Sequence, residues 1–539
     1  MTSSRTTLLT GGRIHSPSAH DATAMAVTDG VVAWLGQDAP GRALHPDAEE
    51  MPLGGALVTP AFVDAHVHAT ATGLHLDGPD LAALRSADEL LVELATLVRQ
   101  VPPGQVLLGH GWDEDSWSSS RLPSRAELDA VCGEVPVYLS RVDVHSALIS
   151  SAAAALAPDA RASPGWSEDG PITGAAHHHI RAATREAITA EQRARAQRTF
   201  LDAAAAAGIT CVHECAGPDI SGEADLTALL ALSAGADRPE VVAYWGEQAH
   251  AADDPAVERA HALGARGLAG DLFADGALGS RTAALHEPYA DAAGTGMLHL
   301  SADDVARHVL ACTEAGLQAG FHAIGDRAIT AVVEGFRKAE AVAGRRAIAA
   351  RCHRIEHLEM VTAEQAGELA GWNVTASMQP AFDALWGGQR SMYAARLGSE
   401  RAAALNPLAT LAARGVPLAC GSDAPVTPLD PWRSVRAAVH HRTPESGISP
   451  RAAFNAHTRG GYRAAGVFDG LTGTLVPGAP AHYAVWEAGE LAVTAPDSRV
   501  RRWSTDPRSR VPALPRLDPG TPLPRCLRTV RDGRTIFAA

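Results

Sequence analysis

Lysine is almost absent from this chain of 539 residues: Lys338 is the only one, and arginine supplies the other 45 of the 46 basic residues. The 61 acidic residues outnumber them, and the resulting net charge of −15 disfavours a nucleic-acid or anionic-membrane partner. The seven cysteines are scattered without a CxxC pair, which excludes a disulfide framework. The chain also lacks an apolar run approaching about 18 residues and an N-terminal signal-peptide core, so we expect a soluble cytoplasmic protein.

The middle of the chain repeats one local pattern of helix and strand signals. A Ser, Thr or Asn cap begins a helix, a Gly ends it, and a short apolar strand follows that finishes on a polar residue. Four such units begin at Thr189, Ser301, Thr362 and Asn406, and their strands run to Glu214, His322, Gln379 and Asp423. Helix and strand in this alternation predict parallel βα units.

The position of the polar residues separates two folds that share this alternation, a doubly wound sheet and a closed barrel. Polar side chains fall at strand carboxyl ends all the way from His66 to Asp423. Only a closed ring of strands brings so many strand ends to one point. We therefore predict an α/β fold with a (β/α)8 TIM-like barrel over residues 59–469, interrupted by an insertion around 75–190.

Both ends of the chain carry short alternating apolar runs separated by glycine turns, unlike the middle. Residues 1–58 include the run from Thr6 to Ile14, and residues 470–539 include the run from Ala481 to Trp486. Alternation with a period of two is typical of antiparallel strands. We predict that the two terminal pieces join in one small composite β-sandwich domain beside the barrel.

Two histidines, His66 and His68, lie two residues apart after an apolar run. Because side chains alternate along a strand, both imidazoles face the same side, which in a barrel is the interior. His322, His357 and Asp423 belong to later strand ends. Imidazole together with carboxylate suits Zn²⁺, Fe²⁺ or Mn²⁺ better than Mg²⁺ or Ca²⁺. Such an ion lowers the pKa of a bound water to about 7, and a nearby carboxylate can take the proton.

Eight motifs, in this order along the chain, resemble those of a known family. They are Thr59-Pro-Ala-Phe-Val-Asp-Ala-His-Val-His68, Gly111-Trp-Asp113, Arg141-Val-Asp-Val-His-Ser146, Phe273-Ala-Asp-Gly-Ala-Leu-Gly-Ser-Arg-Thr282, His322-Ala-Ile-Gly-Asp-Arg-Ala328, Ile355-Glu-His357, Ser377-Met-Gln-Pro380 and Gly421-Ser-Asp-Ala-Pro-Val426. The chain resembles the amidohydrolase superfamily, and within it the branch of large amidohydrolases related to N-substituted formamide deformylase. The resemblance runs over nearly the whole chain, and a β domain built from both termini is also a feature of that family.

The resemblance implies a role for each of the strand-end residues. His66 and His68 would hold a first metal ion together with Asp423. His322 and His357 would hold a second metal ion or contact the substrate. Asp423 would also be the proton shuttle of the reaction. Zinc is the metal favoured, with iron or manganese as alternatives.

One position departs from the family pattern. The family commonly carries a carboxylated lysine on the fourth strand, which bridges two metal ions, but here Asp271 occupies that place. Lys338 lies in a helical surface pattern and cannot stand in, so the protein has no carboxylated lysine. The Asp271 side chain is much shorter than a lysine carbamate and would bridge in the same way only if the backbone moved inward. Asp275, nearer the mouth on the same strand face, is an alternative, and we favour one metal ion over two.

Other residues are assigned by the same motifs or by their places beside ligands. Substrate contacts are expected from Trp112, Asp113, His145, Ser280 and Arg281, with ordinary loop packing as the alternative. Supporting contacts to the metal or its ligands are expected from Glu214, Asp326 and Glu356.

Two function classes remain open. The first is a metal-dependent amidohydrolase that cleaves a C–N bond other than a peptide bond, in an amide, N-acyl or N-formyl group of a small molecule, through metal-bound hydroxide. A deaminase with a single metal ion is its main rival. The second class is a non-catalytic barrel retained for binding, for which the missing lysine is the one argument. The retained histidines and Asp423 favour the enzyme, a small-molecule substrate is the expected partner, and a homodimer stays open.

Overall fold

Eight parallel strands form the central sheet of the structure, a computed structural model that describes residues 5–119, 121–142, 146–493 and 512–539. In chain order they are β1 (Phe62–Val67), β2 (Ile209–Ala216), β3 (Glu240–Trp245), β4 (Gly267–Leu268), β5 (Gln318–Ala323), β6 (Arg354–His357), β7 (Thr375–Met378) and β8 (Leu418–Cys420). Each strand pairs with the next strand along the chain, and every pairing is parallel.

Hydrogen bonds between the first strand and the segment after the last one close this sheet into a barrel. The backbone N–H of Asp423 donates to the carbonyl of His66 at 2.8 Å, and the N–H of His68 donates to the carbonyl of Ala424 at 3.0 Å. Val67 and Ala424 form a parallel bridge at the same place. The barrel predicted from the polar strand ends is therefore confirmed.

Helices connect the strands. The helix Ala190–Ala206 precedes β2, and the later connections contain Glu223–Ser233, Pro255–Ala262, Ala302–Ala315, Asp326–Ala343, Arg345–Ala349, Ala363–Gly371, Pro380–Trp386, Met392–Leu397, Ser399–Ala403, Leu408–Arg414, Pro431–Val439, Pro450–Ala456 and Arg459–Ala464.

The helix boundaries follow the capping signals of the sequence. Ser301 and Thr362 each form a capping box. The side chain of the cap residue accepts from the backbone N–H of the third helical residue, and the side chain of that third residue, Asp304 or Gln365, accepts from the backbone N–H of the cap residue. Gly316 and Gly415 end their helices in the left-handed conformation that glycine tolerates best. Local chemistry thus determines where these barrel helices begin and end.

Strands from both ends of the chain share one sheet. Its five strands, in order, are Arg13–Ile14, Leu57–Pro60, Tyr483–Glu487, Arg525–Arg531 and Arg534–Ala538. A second sheet contains Val31–Gly36, Ala24–Thr28, Thr6–Thr10 and Glu49–Pro52. Leu9 and Met25 of the second sheet pack in one buried cluster with Val58, Tyr483 and Val530 of the first. The two sheets therefore form the sandwich expected from the terminal sequences.

The chain divides into two compact units, Met1–His68 with Leu201–Ala539, and Ala69–Phe200. The second unit contains a sheet with the strand order Ile172–Thr173, Ser146–Ile149, Val137–Arg141 and Leu107–Trp112, and the helices Ala69–Asp77, Ala87–Val98, Arg125–Cys132, Ser151–Ala154 and Gly174–Glu186. The domain boundaries predicted near residues 58, 75, 190 and 470 stay predictions. Among the described residues, no helix is long and apolar enough to cross a membrane.

A buried imidazole ties the helix Ala302–Ala315 to the barrel. His308 Nδ1 accepts from the backbone N–H of Ala249 at 3.0 Å, and Nε2 donates to the carbonyl of Leu268 at 2.9 Å. Burial lowers the pKa of His308 from 6.5 to about 4, because a charged ring would lose its water.

We expect this histidine to make the stability of the protein depend on pH. The unfolded ring takes up a proton near pH 6.5 and the folded ring only near pH 4, so the stabilisation is complete above pH 6.5 and is lost as the pH falls toward about 4. The slope is at most about 1.4 kcal/mol per pH unit for one such group. His308→Gln, measured by urea unfolding between pH 4 and 7 in about half-unit steps, should flatten this part of the profile. The exposed His261→Gln is the matched control, and equal slopes for both variants would refute the assignment.

Candidate metal centre

Four histidines and two aspartates meet at the carboxyl ends of the barrel strands. They are His66 in β1, His68 directly after β1, Asp271 shortly after β4, His322 in β5, His357 at the end of β6 and Asp423 shortly after β8. All except the partly buried His68 are buried. The structure thus brings together the five residues predicted as ligands and the aspartate that replaces the family's lysine.

The first part of the cluster joins the two histidines of the first strand to both aspartates. His68 Nε2 lies 3.1 Å from Asp423 Oδ1 and 3.2 Å from Asp271 Oδ2. His66 Nε2 lies 3.5 Å from Asp271 Oδ1 and 3.6 Å from Asp423 Oδ1. These separations are those of atoms that can share one cation.

The second part of the cluster consists of His322 and His357, which also lie near Asp271. His322 Nδ1 is 3.6 Å from Asp271 Oδ1, and His357 Nε2 is 4.0 Å from the same oxygen. The ligand atoms of Asp271, His322 and His357 form one group within 4.8 Å, and those of His66, His68 and Asp271 form another. Asp271 belongs to both of these groups, and the ligand atom of His357 also forms a group with those of His66 and Asp423.

Backbone conformation aims two of these side chains. His357 has φ of +70° and Asp423 has φ of +56°, a region that residues other than glycine adopt rarely and at some cost. At Asp423 the barrel-closing hydrogen bond to His66 holds this conformation. The contact that closes the barrel therefore also presents the carboxylate to the site.

Two imidazoles are oriented by hydrogen bonds on the side away from the cluster. His66 Nδ1 lies 2.8 Å from Glu356 Oε2, and His357 Nδ1 lies 2.7 Å from Gln379 Oε1. Because both partners are acceptors, the Nδ1 atoms carry the protons and the Nε2 lone pairs face the cluster. The prediction that Glu356 accepts from a ligand ring agrees with this geometry, although the ring is that of His66. The sequence by itself assigns Gln379 no role, and its position in the Ser377-Met-Gln-Pro380 motif is the one signal that points to it.

The charges of the cluster favour a cation. Burial would lower the pKa of His68, but the carboxylates of Asp271 and Asp423 outweigh it and hold that pKa well above 6.5. Burial would raise the pKa of Asp271, but the imidazoles of His66, His322 and His68 hold it well below its usual range. Both shifts mean that positive charge is stabilised here and that Asp271 stays ionised.

Several buried ligand atoms lack a protein partner. Within the described part of the chain, His66 Nε2, His322 Nδ1 and Asp271 Oδ1 have no hydrogen-bond partner. Leaving such atoms unpaired costs about 1–3 kcal/mol each, and a shared cation removes that cost. Imidazole nitrogens with carboxylate oxygens are the donors that zinc, iron and manganese prefer. The residues therefore fit a divalent metal.

Comparison with known proteins decides the family. The model of the amidohydrolase family matches residues 49–537. The chain belongs to the amidohydrolase family. YtcJ of Bacillus subtilis is 29% identical over 458 residues, which cover 79% of this chain and 82% of YtcJ. The N-substituted formamide deformylase of Arthrobacter pascens is 31% identical over 158 residues, 28% of this chain and 29% of that enzyme. The crystal structure of a metal-dependent hydrolase from Pyrococcus furiosus is 26% identical, with a TM-score of 0.74 over 89% of this chain and 98% of that one.

Beneath the metal centre of this amidohydrolase lies a fully buried arginine that the sequence did not reveal. Arg354 donates to Glu356 Oε1 at 2.5 Å and Oε2 at 2.9 Å, and to the carbonyl of Ala65 in β1 at 2.6 Å. It also donates to His213 Nδ1 in β2 at 3.1 Å and to Ser377 Oγ in β7 at 3.0 Å. Its guanidinium therefore links four barrel strands and holds the carboxylate that orients His66.

Three further residues predicted near the metal lie in other settings. Asp275 accepts from the backbone N–H groups of Ala284, Ile324 and Gly325 at 2.8–3.0 Å, so it joins the segment after β4 to the segment after β5. Asp326 accepts from the N–H groups of His286 and Arg327. Glu214 is buried in β2, and among the described residues it is not part of the metal-ligating groups.

Two residues predicted to contact substrate lie on the segment between β4 and β5. Arg281 binds Asp291 through Nε at 3.0 Å and Nη2 at 2.9 Å, and Ser280 Oγ lies 2.7 Å from Thr282 Oγ1. Their contact with substrate stays a prediction. Lys338 forms an exposed pair with Asp303 at 2.7 Å, as its helical surface pattern indicated.

The remaining predicted substrate residues belong to the unit Ala69–Phe200. Trp112 is fully buried in the core of that unit and donates its indole N–H to the carbonyl of Leu139 at 2.8 Å, which favours a packing role. Asp113 pairs with Arg141 at 3.2 Å. His145 lies outside the described residues.

Proposed function

We propose that this protein is a metal-dependent hydrolase that cleaves a C–N bond, in an amide, N-acyl or N-formyl group of a small molecule, with zinc as the favoured metal. The observation that carries the proposal is the convergence of four imidazoles and two carboxylates, with unpaired ligand atoms, on one buried point at the barrel mouth. Similarity to the N-substituted formamide deformylase supports the choice of bond.

The residues divide the work between holding the metal and moving a proton. His66, His68 and Asp423, with Asp271, His322 and His357 beside them, would hold the metal. When bound, the metal supplies Lewis acidity toward a carbonyl and lowers the pKa of water. Asp423 would accept a proton from the attacking water and return it to the leaving nitrogen; its Oδ1, which lies 3.1 Å from His68 Nε2 and 3.6 Å from His66 Nε2, supports this role.

The rings on the far side of the cluster position the reacting groups. Gln379 fixes the orientation of His357, and the carbonyl of Gly276 lies 3.2 Å from His322 Nε2, so both rings have one defined face toward the centre. Fixed donors and ligands need no rearrangement when charge develops on the substrate, and this is the main source of electrostatic catalysis.

A product assay tests the reaction class. Purified zinc-loaded protein is incubated with a panel of N-formyl amines, N-acyl amines and amino-substituted heterocycles, and the products are identified by mass spectrometry. We expect release of a carboxylic acid and an amine from an N-formyl or N-acyl compound, loss of turnover after removal of metal by a chelator, and recovery with zinc. Release of ammonia from the heterocycles alone would assign a deaminase instead. Turnover of none of these compounds by metal-loaded protein would favour a non-catalytic barrel.

The cytoplasmic location and the absence of nucleic-acid and membrane partners stay predictions from the sequence. A homodimer is possible on the same basis.

A further inference from the structure

A bulge follows the fourth barrel strand, directly before the metal centre. Leu268 pairs with Ala319 of β5, and the next paired residues are Phe273 and His322. Residues 269–272 therefore stand opposite residues 320–321, so the chain after β4 carries two more residues than its partner over this stretch. Hydrogen bonds of 2.9 Å from His322 N to Leu272 O and from Ala274 N to His322 O show that pairing has resumed. Asp271 lies inside this bulge.

Two glycines let the bulge approach the barrel interior closely. Gly270 has φ of +80°, and a Cβ there would lie 2.9 Å from Cys215 Cβ on β2. A Cβ on Gly246, just after β3, would lie 2.8 Å from the carbonyl oxygen of Asp271. Both distances are shorter than real carbon contacts allow, so larger residues at either position would push the bulge outward. Bulges are a common device for re-aiming a side chain beside an active site.

The bulge at residues 269–272 brings the backbone of Asp271 close enough to the cluster for its short side chain to reach the histidines. Asp271 Oδ2 faces His68 at 3.2 Å, and Oδ1 faces His66 at 3.5 Å, His322 at 3.6 Å and His357 at 4.0 Å. Oδ1 is also one of the buried atoms that lack a partner among the described residues. The carboxylate therefore lies between the two histidine pairs: Oδ2 and Oδ1 face His68 and His66, and Oδ1 also faces His322 and His357. The expectation of one metal ion assumed an ordinary strand at this point, and the bulge removes that assumption.

We infer that Asp271, carried inward by the bulge at residues 269–272, is a permanent bridging carboxylate between two divalent-metal positions. One position has His66 and His68 with Asp423, whose Oδ1 lies 3.6 Å and 3.1 Å from their Nε2 atoms, and the other has His322 and His357. The inference rests on the proposed metal-dependent function. A lysine bridge forms only when the amine combines with carbon dioxide to give a carbamate and a proton, whereas Asp271 needs no such step. Metal loading of this protein should therefore not depend on bicarbonate.

Metal counting tests the bridge without an activity assay. Metal-free protein is dialysed against excess zinc, with and without added bicarbonate, and metal per chain is measured by elemental analysis. Wild-type protein should bind about two ions, equally in both conditions, as in other two-metal sites. Asp271→Asn should bind about one, because a neutral amide is a poor bridge. The surface variant Asp303→Asn is the control for loss of an aspartate and should match wild type.

A second variant leaves every ligand chemically intact. Gly246→Ala adds a Cβ against the bulge and should reduce the metal content toward one ion per chain. Gly367→Ala, where a Cβ meets nothing within 4 Å, is the matched control and should keep the wild-type content. Circular dichroism of each variant identifies any that fail to fold. Loading with Co²⁺ adds a spectroscopic readout, since two bridged ions show magnetic coupling and a single ion does not.

The outcomes separate this inference from the proposed function. One ion per wild-type chain at saturation, an unchanged count in folded Asp271→Asn and Gly246→Ala, or a bicarbonate requirement in wild type would overturn the bridge. Two coupled ions without turnover of any tested amide would support the bridge and count against the proposed function. Turnover of an amide by protein that binds one ion per chain would support the proposed function and count against the bridge.

Discussion

Asp423→Asn is expected to lower kcat/KM for the hydrolysed amide by about 10²–10⁴-fold, the usual contribution of a general acid–base group. The asparagine amide keeps the size of the side chain but cannot accept the proton of the attacking water. Asp423 Oδ1 lies 3.1 Å from His68 Nε2, and the two atoms would hold the same metal ion. The substitution therefore also replaces a charged metal ligand with a neutral one. The assay is therefore run at saturating zinc, with metal content measured on the same samples.

The interpretation of this variant depends on two comparisons. Asp303→Asn, which changes an exposed aspartate paired with Lys338, should retain wild-type kcat/KM. Asp423→Asn protein that binds metal at the wild-type level and still turns over amide at more than about a tenth of the wild-type rate would rule out Asp423 as the proton shuttle.

Arg354→Met should destabilise the protein by about 3–5 kcal/mol, because it leaves a buried carboxylate without its cation. Burial would raise the pKa of Glu356, but the guanidinium of Arg354 and the ring of His66 hold it below its usual range, so the residue is ionised in the folded protein. Methionine fills much of the space but supplies no charge. The unfolding free energy from urea titration measures the loss.

The double variant Arg354→Met with Glu356→Gln separates stability from positioning. Removing both charges should recover most of the lost unfolding free energy, since neither group is then buried and unpaired. Metal affinity should still be lowered by about 10–100-fold, because the acceptor that orients His66 is altered. Wild-type metal affinity in the double variant would show that Arg354 and Glu356 serve stability alone.

Much of the barrel could be predicted from the sequence because its signals are local. The capping boxes at Ser301 and Thr362 and the terminal glycines at Gly316 and Gly415 involve residues within a few positions of one another. Once helices and strands alternate in this way, the chain has few ways to cover both faces of a parallel sheet. The polar strand ends then indicated a closed ring.

The ligand residues could be predicted for a similar reason, whereas their supports could not. His66 and His68 are two apart on a strand, and this spacing alone places both rings on one face. Arg354 has no such signature, because an arginine in a sequence is usually expected at the surface. Its burial depends on acceptors from β1, β2 and β7, each of which is more than 20 positions away along the chain. The packing of Trp112 in its own core was likewise visible only in three dimensions.

The near absence of lysine is the clearest example of this division. By itself, the sequence determined that the chain has a single lysine, in a helical surface pattern, and the resemblance to the family then implied that Asp271 occupies the place of the carboxylated lysine. Only the tertiary structure decided how far that aspartate reaches. The reach depends on a bulge held between Gly246 after β3 and Cys215 in β2, and contacts between residues distant along the chain are set by packing in the folded barrel.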